Sequence, residues 1–534
     1  MATFQIDNNE IPFEAGDTII AAAARAGIEI PHYCWHPGLS VAANCRMCLV
    51  ELLPPPGRKA MMLDVIRWDA ASGQFVKESK PKLVPACQQS VSAGMQVLSD
   101  SSNHVVRARA AVQEFLLLNH PVDCPICDQA GECRLQDYWL TQGPNKKRMS
   151  DEPVHKPKAV DFGPHIVYDA ERCIICTRCV RVCNELAKDP VLSVSQRGNL
   201  NEITVAPGRR LDHNYSLMTE VVCPVGALTS KEFRFKARVW FLNSAPSVCV
   251  GCSKGCNSFT DYDPRESKVY RYRPRENQAV NKHWMCDVGM LDYTRIHEHR
   301  ILDASIAGET VPRKTALEKA AELLRGVSGQ KLGVVFGAEF SQEDNAALLA
   351  LSQVLGAETF FEAGRTPGNS DGVLMQADRN PNSAGVRQLL NSEPLPGSEL
   401  AQRLQSGQLT HVIILGSTLK DARACEQVSQ LTSGKRIVLA SHQGPLLTGA
   451  HVVLPVTTWA EIEGTYVNVE GLAQVSQQAI APQGQALPAF KWVAHLARAL
   501  GKRVASKSLA EARALFEAPL PASAESSYQA GAQP

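Results

Sequence analysis

Four sets of potential metal ligands, each with its own spacing, lie before residue 290 and set the terms on which this chain can fold. Cys34, Cys45, Cys48 and Cys87 form the first set, and His120, Cys124, Cys127 and Cys133 the second. Cys173, Cys176 and Cys179 form a tight run whose best fourth member is Cys223, with Cys183 as the rival. Cys249, Cys252, Cys256 and Cys286 form the last. Iron–sulfur clusters are held by four protein ligands, mostly cysteine thiolates, at motif-like intervals. Several clusters on one chain make a wire for electrons. Fifteen of the 17 cysteines belong to these sets. The two left over, Cys183 and Cys425, are expected to be small buried hydrophobes.

A disulfide framework suits short secreted domains, and a 534-residue chain with no signal-peptide pattern at MATFQIDNNE is not one. Metal ligation is the better reading. The net charge of +1 argues against nucleic-acid binding. No apolar stretch approaches the roughly 18 residues a membrane span needs. The expectation is a protein without a direct membrane span, cytoplasmic or docked on a membrane complex through other subunits. No Ser/His/Asp arrangement or phosphate loop stands out, so no catalytic residue is expected. Gly333 and Gly337 lie in a strand-like stretch and make only a weak nucleotide signal.

Along the chain, TFQI (3–6), an Asn8-Asn9 turn, a second strand to Phe13, and a helix capped by Asp17 or Thr18 and ended by Gly27 open a β-grasp, ferredoxin-like domain. Residues 53–75 read as an insertion. Residues 103–118 form an amphipathic helix with Val105, Ala108, Val112, Phe115 and Leu116 on one face, and His120 projects just past its end. Residues 141–165 read as a polar, Pro-rich crossing. After about residue 300 cysteine nearly vanishes, and apolar strands at 331–337, 411–416 and 436–441 alternate with helix-like stretches, which implies parallel βαβ structure. The tail from about residue 520 reads as disordered. The expected domains are 1–100 ([2Fe–2S] ferredoxin type), 101–140 (one His, three Cys), 141–242 ([4Fe–4S] ferredoxin-like), 243–300 (a further [4Fe–4S] domain) and 301–520 (α/β), before the tail at 521–534.

Spacing alone weighs the sets differently. Plant-type ferredoxins also place three cysteines in one loop and the fourth far downstream around a [2Fe–2S] cluster, as the first set does. A zinc ribbon normally shows two C-x2-C knuckles, and this set has one. The second set fits a zinc site of three thiolates and one imidazole as well as it fits iron–sulfur. In the third, C-x2-C-x2-C with a remote C-P is a half-ferredoxin signature for [4Fe–4S]. The cysteine at the position of Cys183 reaches the partner cluster in two-cluster ferredoxins, but no second run exists here, which favours Cys223. The fourth set leaves zinc open, and its company favours iron.

HYCWHPGLSVAANCRMCLVE (32–51), HPVDCPICDQAGECRLQD (120–137), RCIICTRCVR (172–181) and CPVGALT (223–229) together closely resemble the NADH:quinone oxidoreductase-G subunit of bacterial respiratory complex I, the counterpart of the mitochondrial 75-kDa subunit. The resemblance runs in order over residues 1–240. It implies a [2Fe–2S] cluster, a [4Fe–4S] cluster with one His and three Cys ligands, and an all-cysteine [4Fe–4S] cluster. These would carry electrons from FMN towards quinone. The fourth set resembles the N-terminal cluster motif of molybdopterin oxidoreductases, which implies a third [4Fe–4S] cluster, off the main electron path.

Residues 450–474 also look like that superfamily, whose pattern reads ADVVLP…AE-x-EGT…N-x-EGR-x-Q, but Leu472 and Ala473 depart from it. With the short region after Cys286, this implies a shortened, scaffold-only α/β domain and no molybdenum. The implied partners are the FMN- and NADH-binding flavoprotein subunit, its small [2Fe–2S] partner, the ferredoxin subunit with two [4Fe–4S] clusters, and the quinone-site subunits. The implied place is the cytoplasmic side of the bacterial inner membrane. The alternatives are the iron–sulfur subunit of a soluble NAD-linked formate dehydrogenase or hydrogenase complex, and a redox-silent zinc scaffold.

Overall fold

The computed structural model describes residues 2–54, 59, 61–143 and 148–516. The expected tail at 521–534 lies outside the described residues. The chain divides into two compact units, one ending at Trp240 and the other beginning at Phe241.

The first unit opens on a five-stranded sheet. Its order is Asn9–Pro12, Thr3–Ile6, Gln96–Leu98, Leu49–Leu53, Leu83–Pro85. Thr3–Ile6 pairs antiparallel with its hairpin partner and parallel with Gln96–Leu98. The hairpin turns one residue earlier than expected, on Asp7 and Asn8, both at positive φ. Two consecutive left-handed residues match the right-handed twist of the strands. The helix Ile19–Arg25 starts where the Thr18 hydroxyl accepts the Ala21 N–H, and its Ile19, Ile20, Ala22 and Ala23 pack on Phe4, Ile6 and Ile11. Cys48 and Cys87 sit in this same core, so the β-grasp core and the first ligand set are one structure. Of the insertion expected at 53–75, residues 55–58 and 60 lie outside the described residues, and the rest belongs in large part to an antiparallel hairpin, Met62–Asp69 with Gln74–Pro81, which runs past the expected end.

The helix Asn103–Leu117 forms where expected, capped by the Ser102 hydroxyl, but it buries a different face. Its buried residues are Val105, Arg109 and Gln113, and Phe115 is 71% exposed. Hydrogen bonds outweigh apolar patterning here. Arg109 donates to the Leu49 carbonyl (3.2 and 3.0 Å), Ser99 (2.7 Å) and Asp100 (2.5 Å). Gln113 accepts from the Tyr33 hydroxyl (2.5 Å) and donates to the Leu135 carbonyl (3.0 Å). Satisfied in this way, polar side chains can be buried without the usual penalty. Further on, a three-stranded sheet of Leu228–Ser230, Ile166–Tyr168 and Val160–Asp161 carries the third ligand set.

The second unit begins with a three-stranded antiparallel sheet, Asn243–Val248, Asn257–Asp263 and Lys268–Pro274. A seven-stranded sheet follows. Its order is Glu309–Val311, Ala304–Ile306, Val452–Pro455, Lys435–Ala440, His411–Leu415, Leu332–Gly337, Thr359–Ala363, and the last five strands are parallel. Alternate residues face two separate cores. Val334, Phe336, Ile413, Leu415, Ile437 and Leu439 enter one, while Val335, Val412, Ile414 and Val438 enter the other. A strand's period of two and helices on both faces produce this pattern, a doubly wound α/β layer. Among the described residues no helix is long and apolar enough to cross a membrane.

Candidate metal centres

The first set arrives from two places. Cys34, Cys45 and Cys48 come from the loop between the helix and Leu49–Leu53, and Cys87 follows the strand Leu83–Pro85. The structure joins them in pairs. A hydrogen bond between the thiols holds Cys34 down and Cys45 up. The same relation lowers Cys87 and raises Cys48. Two thiol pairs suit two iron atoms, each taking two cysteines. The left-handed residues Ala43 and Arg46 turn the loop so that backbone N–H groups face sulfur, and the Cys34 N–H reaches Cys45 Sγ at 3.5 Å.

The third set surrounds a cavity. Cys173, Cys176, Cys179 and Cys223 line one cavity together with Tyr168, Ile203 and Leu228. Cys183 does not line it; it is fully buried, with its sulfur 3.4 Å from His213 Nε2. Ile175 and Thr177, both left-handed, tighten the run, and the Ile175 N–H lies 3.4 Å from Cys173 Sγ. Tyr168 receives the Ile203 N–H at 3.0 Å and makes a side-chain hydrogen bond to Cys173. Burial pushes the Cys173 and Cys176 thiols up to about 11 and Cys223 up to about 12. Metal binding requires thiolates, so loading such a site releases protons.

In the second unit Cys249, Cys252, Cys256 and Cys286 line a cavity with Met285, Leu374, Met375 and Arg379. The first three come from the loop between Asn243–Val248 and Asn257–Asp263. Cys286 caps the short helix Asp287–Leu291, accepting the Gly289 N–H at 3.4 Å. Burial lifts Cys286 up to about 12 and Cys249 and Cys256 well above the usual thiol range. Two different local folds thus each present four thiols around one cavity.

The second set reaches the surface, with Cys124 exposed and Cys133 buried. The charges of Cys127 and Cys124 add to burial in pushing Cys133 up to about 11. His120 follows the helix by three residues. Burial lowers its pKa to about 4, so the imidazole is neutral, the form that ligates metal. Its Nδ1 is buried with no hydrogen-bond partner, a lone pair or proton left for another group to satisfy.

Four thiols lining one cavity, in the third and fourth sets, and two thiol pairs, in the first, are donor chemistry that fits iron–sulfur clusters.

Three features escape a reading of spacing. Gly226 lies so close to Cys127 Sγ that any Cβ there would collide with it. The second and third ligand loops thus touch. Arg178 and Arg181, between and beyond the cysteines of RCIICTRCVR, are buried. The EGT…N-x-EG-x-x-Q stretch at 463–474 holds the fourth set's loop. Asn468 donates to the Lys254 carbonyl (3.4 Å), and Gln474 donates to Gly255 (2.9 Å) and accepts from Asn257. Cys425 is buried in the helix Ala422–Gln430, where burial raises its pKa.

Four family descriptions match consecutive stretches. Residues 1–102 match "2Fe-2S iron-sulfur cluster binding domain", and 109–148 match "NADH-ubiquinone oxidoreductase-G iron-sulfur binding region". Residues 163–229 match "NADH-quinone oxidoreductase subunit 3, ferredoxin-like domain", and 303–499 match "Molybdopterin oxidoreductase". The chain is 35% identical over 364 residues to the NADH-quinone oxidoreductase-G subunit of Rickettsia felis, covering 67% of this chain and 50% of that one. The chain is a relative of the oxidoreductase-G subunits. That of Streptomyces coelicolor is 34% identical over 66% of this chain and 40% of its own length, and that of Mycobacterium tuberculosis 31% over 66% and 42%. The chain thus spans half or less of the relatives it matches. A structure titled NAD+-reducing [NiFe]-hydrogenase in the H2-reduced state is 28% identical over 45% of this chain and 91% of its own, with a TM-score of 0.36, too low to show a shared fold.

Proposed function

We propose that this chain is an iron–sulfur electron-transfer subunit of the peripheral arm of an NADH:quinone oxidoreductase, carrying electrons from FMN on a partner subunit towards quinone. It would hold one [2Fe–2S] cluster on Cys34, Cys45, Cys48 and Cys87. Three [4Fe–4S] clusters would sit on His120 with Cys124, Cys127 and Cys133, on Cys173, Cys176, Cys179 and Cys223, and on Cys249, Cys252, Cys256 and Cys286. A bound cluster supplies one-electron redox chemistry. The chain's own residues bury it, aim backbone N–H groups at its sulfurs and set its potential.

The observation that carries this reading is the packing of three ligand sets in one unit. The first set's loop lies against the third, with Asn44 donating to the Ile175 carbonyl (3.2 Å) and the Ser40 N–H to Glu185 (2.9 Å). The third meets the second at Gly226. The path supported is first, third, second, which differs from their order along the chain.

The domains would be those expected at 1–100, 101–140, 141–242, 243–300 and 301–520, the last without molybdenum. The partners would be the flavoprotein subunit, its small [2Fe–2S] companion, the ferredoxin subunit and the quinone-site subunits, on the cytoplasmic side of the inner membrane. Metal and sulfide analysis with EPR tests the reading. The expected result is about 14 iron atoms per fully loaded chain. Stoichiometric zinc in place of iron would refute the wire, and stoichiometric molybdenum would refute the scaffold reading of 301–520.

A further inference from the structure

Arg178 and Arg181 are the two arginines of a short helical turn, Arg178–Arg181, and both are more than nine-tenths buried. Their hydrogen bonds go to backbone carbonyls. Arg181 donates to Ser40, to Cys34 (2.5 Å) and to Cys176 (3.3 Å). Arg178 donates to Trp35 and to Val222 (3.2 Å). Each guanidinium therefore reaches both sides of one boundary. On one side are a first-set ligand and its neighbour, Cys34 and Trp35. On the other are Cys176 and the residue before Cys223.

Among the described residues neither arginine pairs with a carboxylate, and both Nε atoms are buried without a partner. Two other buried arginines pair with carboxylates: Arg109 reaches Asp100, and Arg172 reaches Asp123 and Asp169. Arg436, like Arg178 and Arg181, bonds to carbonyls alone, but those of Val428, Ser429 and Leu431 form the C-terminal end of a helix, which supplies partial negative charge. A buried charge without an opposite charge is costly. Two such cations beside Cys34, Cys176 and Cys223 point to anionic groups as their counter-charge.

We propose that Arg178 and Arg181 are positioning residues that fix the first ligand set against the third and supply buried positive charge to both clusters. The proposal rests on the cluster reading above. Reduction adds a negative charge to a cluster. A cation held nearby in a medium of low dielectric stabilises the reduced form more than the oxidised one, so it raises the potential. A single guanidinium shared by the carbonyls of Cys34 and Cys176 acts on both clusters and fixes the gap between them.

The test is redox titration monitored by EPR on the full chain with all clusters in place, comparing wild type with Arg181→Gln, Arg181→Lys and Arg178→Gln. Arg181→Gln should lower the potentials of the [2Fe–2S] signal and the third-set [4Fe–4S] signal together and leave the fourth-set signal where it was. Arg181→Lys keeps the charge and should restore most of the shift. Unmoved potentials in Arg181→Gln, or an equal fall in the lysine variant, would overturn the proposal. Should Arg181→Gln fail to hold iron, joint loss of the first and third clusters with the fourth retained supports the fixing role, whereas loss of one alone overturns it; Arg178→Gln then carries the potential measurement. A wild-type chain lacking the first- and third-set signals would defeat the cluster reading itself, an outcome separate from unmoved potentials in a loaded variant.

Discussion

Cys183 and Cys223 differ in what surrounds their sulfur rather than in chemistry. Cys183 follows Cys179 at a ferredoxin interval, yet its side chain turns away from the cavity towards His213. Cys223 comes from a distant turn and closes the ring of four. Cys183→Ser should therefore leave iron content and every EPR signal intact, at a packing cost of about 1 kcal/mol. Cys223→Ser should lose or degrade one [4Fe–4S] signal. The reverse pattern would mean that the third set has been assembled wrongly.

The cysteines were legible at this scale because ligand spacing is covalent information: a loop can wrap a cluster only if its thiols recur at short intervals. The arginines were not. A charge in a sequence usually marks a solvated face, and nothing in RCIICTRCVR says that Arg178 and Arg181 turn inward. His120 falls between. Its place past a helix end could be read, while the buried, partnerless Nδ1 could not.

Between elements, close approach and buried pairing decide the geometry. Gly226 has an ordinary backbone conformation, so its value is space and not a left-handed φ. Gly226→Ala would drive a methyl group into Cys127 Sγ and against Gln129 Cβ, 3.0 Å away. It should shift or weaken the second-set EPR signal while the fourth-set signal holds. An unchanged second-set spectrum would show that the two loops do not meet as described.

A second case is Glu461, fully buried in the loop after Val452–Pro455, where it accepts from Arg300 (2.7 Å), the Thr458 N–H (2.7 Å) and the Gln483 N–H (2.9 Å). Arg300→Leu strands that carboxylate and should cost about 3–5 kcal/mol, read as lost protection from hydrogen exchange around 452–461. Adding Glu461→Leu should recover much of it. A cost below about 1 kcal/mol would mean water reaches the pair.

Periodicity found the strands of the second unit because each buries both faces and reads as a continuous apolar run. It misjudged the buried face of Asn103–Leu117 because Arg109 and Gln113 are satisfied by partners distant in sequence, Leu49, Ser99, Tyr33 and Leu135.

Across the whole molecule the two units divide the labour. The first three ligand sets lie in the unit ending at Trp240, and the fourth lies in the unit beginning at Phe241, built on its own sheet and locked by Asn468 and Gln474. Nothing in the fourth cavity is shared with the first three: its lining residues all come from 249–289 and 374–379. The fourth ligand set therefore stands on a separate core, and the stretch 463–474, which resembles the molybdopterin superfamily, here braces the fourth-set loop. Cys252→Ser, in the full chain, should remove up to about four iron atoms and one [4Fe–4S] signal. The [2Fe–2S] signal and the signals of the second and third sets should keep their potentials, and NADH-to-quinone electron flow in the assembled complex should persist. A fall in that flow matching the loss of the fourth signal would place the fourth set on the electron path, and the order first, third, second would have to be extended to include it.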